Sequence, residues 1–236
     1  MVSRKSKHKP PAILQIGTAI SGLKKGKVDA LEGYHLLFSR LKQRDHVRPN
    51  HYSRHRALAD QSQVFIIDDA LSMLDHWNDV ESVFEVLAKI VKSADPDGID
   101  LHFTMSDEVY NSKNKWGVNS SSKLVGHVRD RRRKIRGSVN ITYRLDAILG
   151  PYIAKLTNAY PRGGTVRPLN LYVLTDGVWE PECDPSSAVK NLVDKLRRFG
   201  YSKDSKQVGI QFISFGKNTE GLKRLSDLDD NLGQEM

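Results

Sequence analysis

Short apolar runs that end in acidic residues constrain the fold of this chain more than any other feature. Residues 64–67 are followed directly by Asp68 and Asp69, and the run at 169–175 is followed by Asp176. Runs of similar character occupy residues 99–104 and 208–215. A strand with no polar alternation is typical of a parallel sheet that is covered on both faces. These four segments therefore predict the centre of a parallel sheet.

Helical patterns separate these strands. Apolar residues recur at three- and four-residue spacing in residues 77–93, 122–133, 144–156, 186–199 and 219–228. Residues 106–120 are irregular and leave room for a short edge strand. Strands that alternate with helices predict an α/β fold, a Rossmann-like, doubly wound and mostly parallel sheet flanked by helices. Ligands of such sheets bind at the carboxyl ends of the strands, where Asp68 and Asp176 are expected.

The order of several segments resembles one family. VFIIDDALSM at residues 64–73, with Trp77 soon after, resembles the opening of fungal-type von Willebrand factor A domains. The resemblance continues through DPDGIDLHF (95–103), RLDAILGPYI (144–153), RPLNLYVLTDG (167–177) and VGIQFISFGKN (208–218), and DLDDNL (227–232) closes it. Each piece is weak, but their order and spacing together are fairly specific. The resemblance covers roughly residues 60–232 and implies the von Willebrand factor A fold for residues 61–236.

The resemblance also implies a metal-ion-dependent adhesion site that has partly degenerated. The family's oxygen ligands for Mg²⁺ come from an Asp-x-Ser-x-Ser motif, a loop Thr and a later Asp. Asp68, Ser72 and Asp176 match three of these ligands, whereas the first Ser falls on Ala70. The loop Thr matches Thr142 after a shift of one residue, and Tyr143 without the shift. We therefore expect no required cofactor and weak binding of Mg²⁺ or Mn²⁺ at most.

A second interpretation of Asp68 and Asp176 needs no metal. Acidic side chains at strand ends also cap loops and the first turns of helices, because their oxygens accept hydrogen bonds from free backbone N–H groups. The sequence alone leaves both interpretations open.

A protein-interaction module is the function that the resemblance implies. Its expected binding face is the carboxyl end of the sheet, with Asp69, Tyr143 and Trp179 as contact residues, although Trp179 fits the core equally well. The sequence contains no Gly-x-Ser-x-Gly elbow, no phosphate-binding loop and no dinucleotide-binding motif after a strand. We therefore predict a module without catalytic activity.

Positive charge is concentrated in the first quarter of the chain. Residues 1–60 hold 13 Lys and Arg against 4 Asp and Glu, which accounts for the whole formal net charge of +9. This shift predicts a domain boundary near residue 60, preceded by a basic N-terminal extension. Within the extension we expect a disordered tail at residues 1–11 and a helix at 30–43, whereas residues 12–28 carry no clear pattern.

A second basic run, at residues 129–136, includes Arg131, Arg132, Arg133 and Lys134. Cations at the end of a helix are favoured by its dipole and usually remain solvated. The same residues can contact phosphates, which gives the alternative function of a nucleic-acid-associated protein that binds through this run and the basic extension. Weakening of the affinity by salt distinguishes the two interpretations.

Compartment and assembly follow from weaker observations. The chain has one cysteine, no secretory signal and no apolar run long enough to span a bilayer, so an intracellular location, cytoplasmic or nuclear, is expected. The chain ends just after its last helix, where family members usually continue into one more edge strand. An open sheet edge is therefore expected, and with it a homodimer or a partner that supplies the strand.

Overall fold

A computed structural model describes residues 14–20, 61–92, 95, 97–113, 120–201 and 207–234. One sheet contains all six strands of this part of the chain: β1 (Leu14–Ile20), β2 (Ser62–Ile67), β3 (Asp100–Phe103), β4 (Ser106–Asn111), β5 (Leu169–Thr175) and β6 (Val208–Ser214). Their order in the sheet is β1-β6-β5-β2-β3-β4. All neighbouring strands are parallel except β3 and β4, which form an antiparallel hairpin.

Five α-helices cover the two faces of the sheet within the described ranges. They are α1 (Trp77–Val91), α2 (Ser121–Arg131), α3 (Ile141–Ala159), α4 (Pro185–Arg198) and α5 (Thr219–Gln234). Helices α3, α4 and α5 pack on one face, and α1 and α2 pack on the other. The Trp77 indole joins α1 to α2, since its Nε1 donates to the carbonyl of Val128 at 3.1 Å. None of the described helices is both long and apolar enough to cross a membrane.

The predicted Rossmann-like α/β fold is confirmed. Strand β5 has the predicted bounds, and the other three predicted strands and all five predicted helices are present with ends shifted by a few residues. The packing of the core explains why the apolar runs predicted the strands. Alternate residues of β2 point to opposite faces, Val64 and Ile66 towards α3 and α4, and Phe65 and Ile67 towards α1 and α2. Both sets are buried, so the strand has no polar alternation.

The position beside β6 is occupied by a strand that the sequence did not predict. Strand β1 lies there, parallel to β6, in a register that pairs Leu14 with Val208 and Ile20 with Ser214. Part of the segment assigned to the N-terminal extension therefore belongs to the sheet. Strand β1 is itself an edge strand of the described sheet, so a homodimer or a partner that supplies a further strand stays a prediction. The expected tail at 1–11 and helix at 30–43 lie outside the described residues.

Proline substitutions along β1 should reveal this pairing as an alternating pattern. In an edge strand, every second N–H points towards its only neighbour, and proline removes that donor. In the series Ile16→Pro, Gly17→Pro, Thr18→Pro and Ala19→Pro, two alternate variants should lose about 1–3 kcal/mol more than the other two, as expected for a hydrogen bond whose acceptor is left unpaired. Urea unfolding of the four variants measures this difference. Four variants as stable as the parent would show that β1 does not pair with β6 in solution.

Candidate functional site

A buried hydrogen-bonded network surrounds Asp68 at the carboxyl end of β2. The Asp68 side chain is fully buried, and its Oδ1 accepts from the N–H of Ala70 at 3.0 Å. Its Oδ2 accepts from the hydroxyl of Thr175 at 2.7 Å. The Thr175 oxygen in turn accepts from the N–H of Gly177 and from the indole Nε1 of Trp179, at 3.1 Å and 2.9 Å. The network therefore ties the end of β2 to the end of β5 and the loop that follows it.

The environment of Asp68 disfavours its charge. Burial raises the pKa of Asp68 from its ordinary value of 3.8 to about 7, although the hydrogen bonds from Thr175 and Ala70 act in the opposite direction. The negative charges of Asp176 and Asp69 raise this pKa further. Close to neutral pH, Asp68 therefore carries a proton in part of the molecules.

The pKa of a second group, His102 on β3, is shifted in the opposite direction to that of Asp68. Burial, together with the nearby Arg144 guanidinium, lowers the pKa of His102 from 6.5 to about 4. Its Nδ1 is buried without a hydrogen-bond partner among the described residues. The folded protein therefore keeps His102 neutral at pH values where the unfolded chain is protonated.

These two groups should give the stability of the protein opposing dependences on pH. Between about pH 4 and 7 the folded state holds a proton on Asp68 that the unfolded state has released, so Asp68 makes the free energy of unfolding fall as pH rises, by at most about 1.4 kcal/mol per pH unit. His102 makes it rise over about pH 4 to 6.5, by less, because the ring is only half-buried. The free energy of unfolding of Asp68→Asn should therefore rise with pH over this range. That of His102→Gln should fall more steeply with pH than that of the parent.

Urea unfolding at several values between pH 4.5 and 7.5 measures these slopes. The two variants are controls for each other, because each removes one of the opposing contributions. Profiles that stay parallel to the parent in both variants would contradict the assignment of either group.

Asp69 forms a buried ion pair and does not lie on an exposed face. Its Oδ1 accepts from the hydroxyl of Thr104 at 2.8 Å and from the N–H of Met105 at 2.9 Å. Its Oδ2 accepts from Nε and Nη2 of Arg131, at 2.6 Å and 2.5 Å. Asp69 is 0% exposed and the Arg131 side chain 10%. The predicted role of Asp69 as a partner contact is therefore wrong, because the fold itself uses the carboxylate to join β2, the hairpin turn and α2.

Asp176 lies in a loop held by close packing of backbone on backbone. The residue is 3% exposed, and its Oδ1 accepts from the N–H of Val178 at 2.9 Å. Gly177 has a φ of +77°, a conformation that glycine adopts without strain. A Cβ on Gly177 would lie 2.5 Å from the carbonyl oxygen of Gly221 in α5. The first turn of α5 therefore fixes the position of this loop.

The predicted metal ligands are brought together only in part. Ser72 has a buried hydroxyl oxygen without a hydrogen-bond partner among the described residues, as an unused oxygen ligand would have. Thr142 instead has its hydroxyl 3.2 Å from Sγ of Cys183. Asp68, Ser72 and Asp176 remain as oxygen donors, fewer than the near-octahedral shell that Mg²⁺ demands unless water supplies the rest. The described residues contain no group of three or more His, Cys, Asp and Glu placed to hold a metal ion.

Apolar side chains are exposed at this end of the sheet. Leu71 and Leu74 lie on a 3₁₀ turn after β2 and are 57% and 37% exposed, and Tyr143, in the first turn of α3, is 63% exposed. Tyr143 is thus exposed, and its role as a partner contact stays a prediction. Trp179 is buried at 5% exposure and donates to Thr175, so the core interpretation of Trp179 is correct and its partner-binding role is wrong.

The basic run divides into paired and unpaired cations. Arg129 binds Glu81, and Arg132 donates to Oδ1 of Asn78 at 2.7 Å. Arg131 is buried on Asp69, so its prediction as part of an exposed basic patch is wrong. Arg133 and Lys134 are exposed, and neither has a hydrogen bond or an ion pair within the described part of the chain.

Sequence reasoning missed two buried polar residues of this region. Thr175 is the hydrogen-bond hub of the Asp68 network, and its place directly before Asp176 at a strand end was the available indication. Arg144 is 5% exposed and donates to Oδ1 of Asp107 at 3.0 Å, with its Nε unpartnered within the described structure. Nothing in the sequence distinguishes Arg144 from an exposed arginine of a helix.

The fold and these strand ends define the class of the protein. It is a Rossmann-like α/β protein with buried acids at the carboxyl ends of β2 and β5. No protein-family model and no curated protein matches the chain. Matches to solved structures comprise 39 chains. One is proximal thread matrix protein 1 (PTMP1) from the mussel byssus, with 13% identity and a TM-score of 0.43. The match covers 74% of this chain and 46% of the mussel protein, so this chain spans about half the length of the mussel protein.

Proposed function

We propose that this chain is a non-catalytic protein-interaction module of the von Willebrand factor A type, which binds its partner with the carboxyl-end face of the sheet. The observation that carries the proposal is the exposure of Leu71, Leu74 and Tyr143 at that end. Exposed apolar and aromatic side chains on one face are typical of protein-binding surfaces. The resemblance of residues 64–73 and 167–177 to the family supports the same face.

The buried acids support a role without catalysis. A group that reacts must contact its substrate, but Asp68 and Asp69 are 0% exposed, and their oxygens accept hydrogen bonds from the protein itself. In this proposal the acids hold the loops, and the loops present the apolar side chains. The polar network beneath is the rigid support that a binding face needs.

Tyr143→Ala tests the face, with Tyr160→Ala as its matched control. Both tyrosines are exposed, at 63% and 49%, and they lie at opposite ends of α3, because Tyr160 follows its last residue. Each variant is used to purify binding proteins from cells that make this protein. A set of proteins that is lost with Tyr143→Ala and kept with Tyr160→Ala is expected. Identical sets for both variants would refute the assignment of the face.

In this proposal metal binding is weak or lost. Three protein oxygens fill only half of the octahedral coordination shell of Mg²⁺. Partial protonation of Asp68 near pH 7 also competes with the binding of a cation. Thermal melting in Mg²⁺, in Mn²⁺ and in EDTA is expected to give the same midpoint, for the parent and for Asp176→Ala alike. Saturation at 100 times the dissociation constant stabilises the native state by about 2.7 kcal/mol, so a midpoint that rises with metal only in the parent would show a working site.

A further inference from the structure

An open groove of about 450 Å³ lies beside the candidate face. One wall is the β3–β4 hairpin, through Met105, Ser106 and Glu108, and the other is formed by five residues of the segment 131–136. Its volume lies within the range of pockets that bind small molecules. Nothing in the network around Asp68 uses this groove.

The groove carries positive charge that the fold does not neutralise. Arg133, Lys134 and Arg136 are exposed, with no hydrogen bond or ion pair among the described residues. Arg131, at the base, is already neutralised by Asp69. Among the described lining residues Glu108 is the one acid, and it accepts a hydrogen bond from the hydroxyl of Tyr110. With the charge of Glu108 counted against Arg133, Lys134 and Arg136, an excess of two positive charges remains for an acidic ligand.

The lining favours a peptide over a nucleic acid. Met105 and Ile135 are half-buried apolar residues of the groove, and they offer contact to an apolar side chain. None of the eight lining residues that the structure describes is aromatic, whereas proteins that bind single strands usually stack the bases on aromatic rings. A mixture of cations and aliphatic surface is complementary to a peptide with alternating acidic and apolar residues.

A backbone hydrogen bond links the segment that lines the groove to the apolar face. This segment runs on to Gly137, whose carbonyl oxygen accepts from the N–H of Leu71 at 2.9 Å. We infer that the groove binds an acidic peptide segment of a protein partner, with its carboxylates on Arg133, Lys134 and Arg136 and an apolar side chain against Met105 and Ile135. The inference rests on the proposed function, since it places an acidic segment of the same partner next to Leu71.

Selection from a random peptide display library tests the inference without a known partner. The bait is the full chain, either as the parent or with Arg133→Glu, Lys134→Glu and Arg136→Glu combined. A matched control combines Lys155→Glu, Arg162→Glu and Arg198→Glu, three exposed cations near the carboxyl-terminal ends of α3 and α4, away from the groove. Peptides rich in acidic and apolar residues should be enriched by the parent and the control. The groove variant should bind the enriched peptides at least tenfold more weakly.

The same proteins are titrated with a single-stranded oligonucleotide of equal charge. Phosphates on three cations would give a slope of about −2 for the logarithm of affinity against the logarithm of salt concentration. Oligonucleotide binding with this slope, lost only in the groove variant, together with no enrichment of acidic peptides, would overturn the inference in favour of nucleic acid. Equal losses of peptide binding in the groove variant and its control would also overturn it, because charge alone would then explain binding.

The two proposals fail in distinguishable ways. If no acidic peptide is enriched while Tyr143→Ala still loses a set of native partners, the groove inference is wrong and the interaction module stands. If acidic peptides bind the groove while Tyr143→Ala and Tyr160→Ala retain identical partners, the assigned face is wrong and the groove stands.

Discussion

Replacing Arg131 with alanine is expected to lower the free energy of unfolding by about 3–5 kcal/mol, because it leaves a buried carboxylate without its counter-ion. Asp69 is 0% exposed and binds Nε and Nη2 of Arg131 within 2.6 Å. The Arg131 guanidinium also lies 5.1 Å from the centre of the Phe103 ring, so its loss removes packing together with charge. Urea unfolding at neutral pH measures the change.

Arg129→Ala is the matched control, two residues earlier on the same helix. Arg129 pairs with Glu81 at the surface, where its side chain is 66% exposed, and such pairs contribute about 0–1 kcal/mol. A double variant, Asp69→Asn with Arg131→Ala, should recover part of the loss, since no unpaired charge remains. Similar losses for Arg131→Ala and Arg129→Ala would show that the Asp69–Arg131 pair is not buried in solution.

Gly221→Ala is expected to lower the free energy of unfolding by about 1–3 kcal/mol, because it overpacks the contact between α5 and the loop after β5. A Cβ on Gly221 would overlap the carbonyl oxygen of Asp176, which is backbone and cannot rotate away. Helix α5 and the loop after β5 would have to separate. Thermal melting measures the loss, and tryptophan fluorescence, to which Trp179 buried in that loop contributes, should report the shift.

Gly126→Ala in α2 is the control, because a Cβ there meets no atom within 4 Å. Alanine in the interior of a helix is about 0.5–1 kcal/mol more favourable than glycine, so Gly126→Ala should stabilise the protein. The two glycine-to-alanine changes should therefore have opposite signs. Stabilisation by both would mean that α5 does not pack on the loop as closely as the structure shows.

The strands at the centre of the fold could be predicted because the residues of each strand show by themselves that it is buried. Strands β2 and β5 are buried on both faces, so their apolar runs are continuous and stop where an acid begins. Strand β1 was not predictable, since its partner β6 lies at the other end of the chain and Gly17 interrupts its apolar pattern. Pairing between distant segments leaves no trace in the periodicity of either one.

The candidate site was predictable in position but not in its contacts. The rule that places ligands at the carboxyl ends of parallel strands located Asp68 and Asp176 correctly. The partner of Asp69 could not be found, because Arg131 stands in a run of cations that all look solvated in sequence. Only the packing of α2 against the hairpin buries one of them. Trp179 was ambiguous for the same reason, since the Thr175 oxygen that accepts from its indole is fixed by the fold.

The pairing of β1 with β6 bears on how the protein is made. Residues 14–20 leave the ribosome long before residues 208–214, which are their neighbour in the described part of the sheet. Strands β2 to β5 can assemble while synthesis continues, whereas β1 must wait for β6, since a pairing of such long range cannot form earlier. During that interval the backbone groups of β1 are open to chaperones and to other nascent chains.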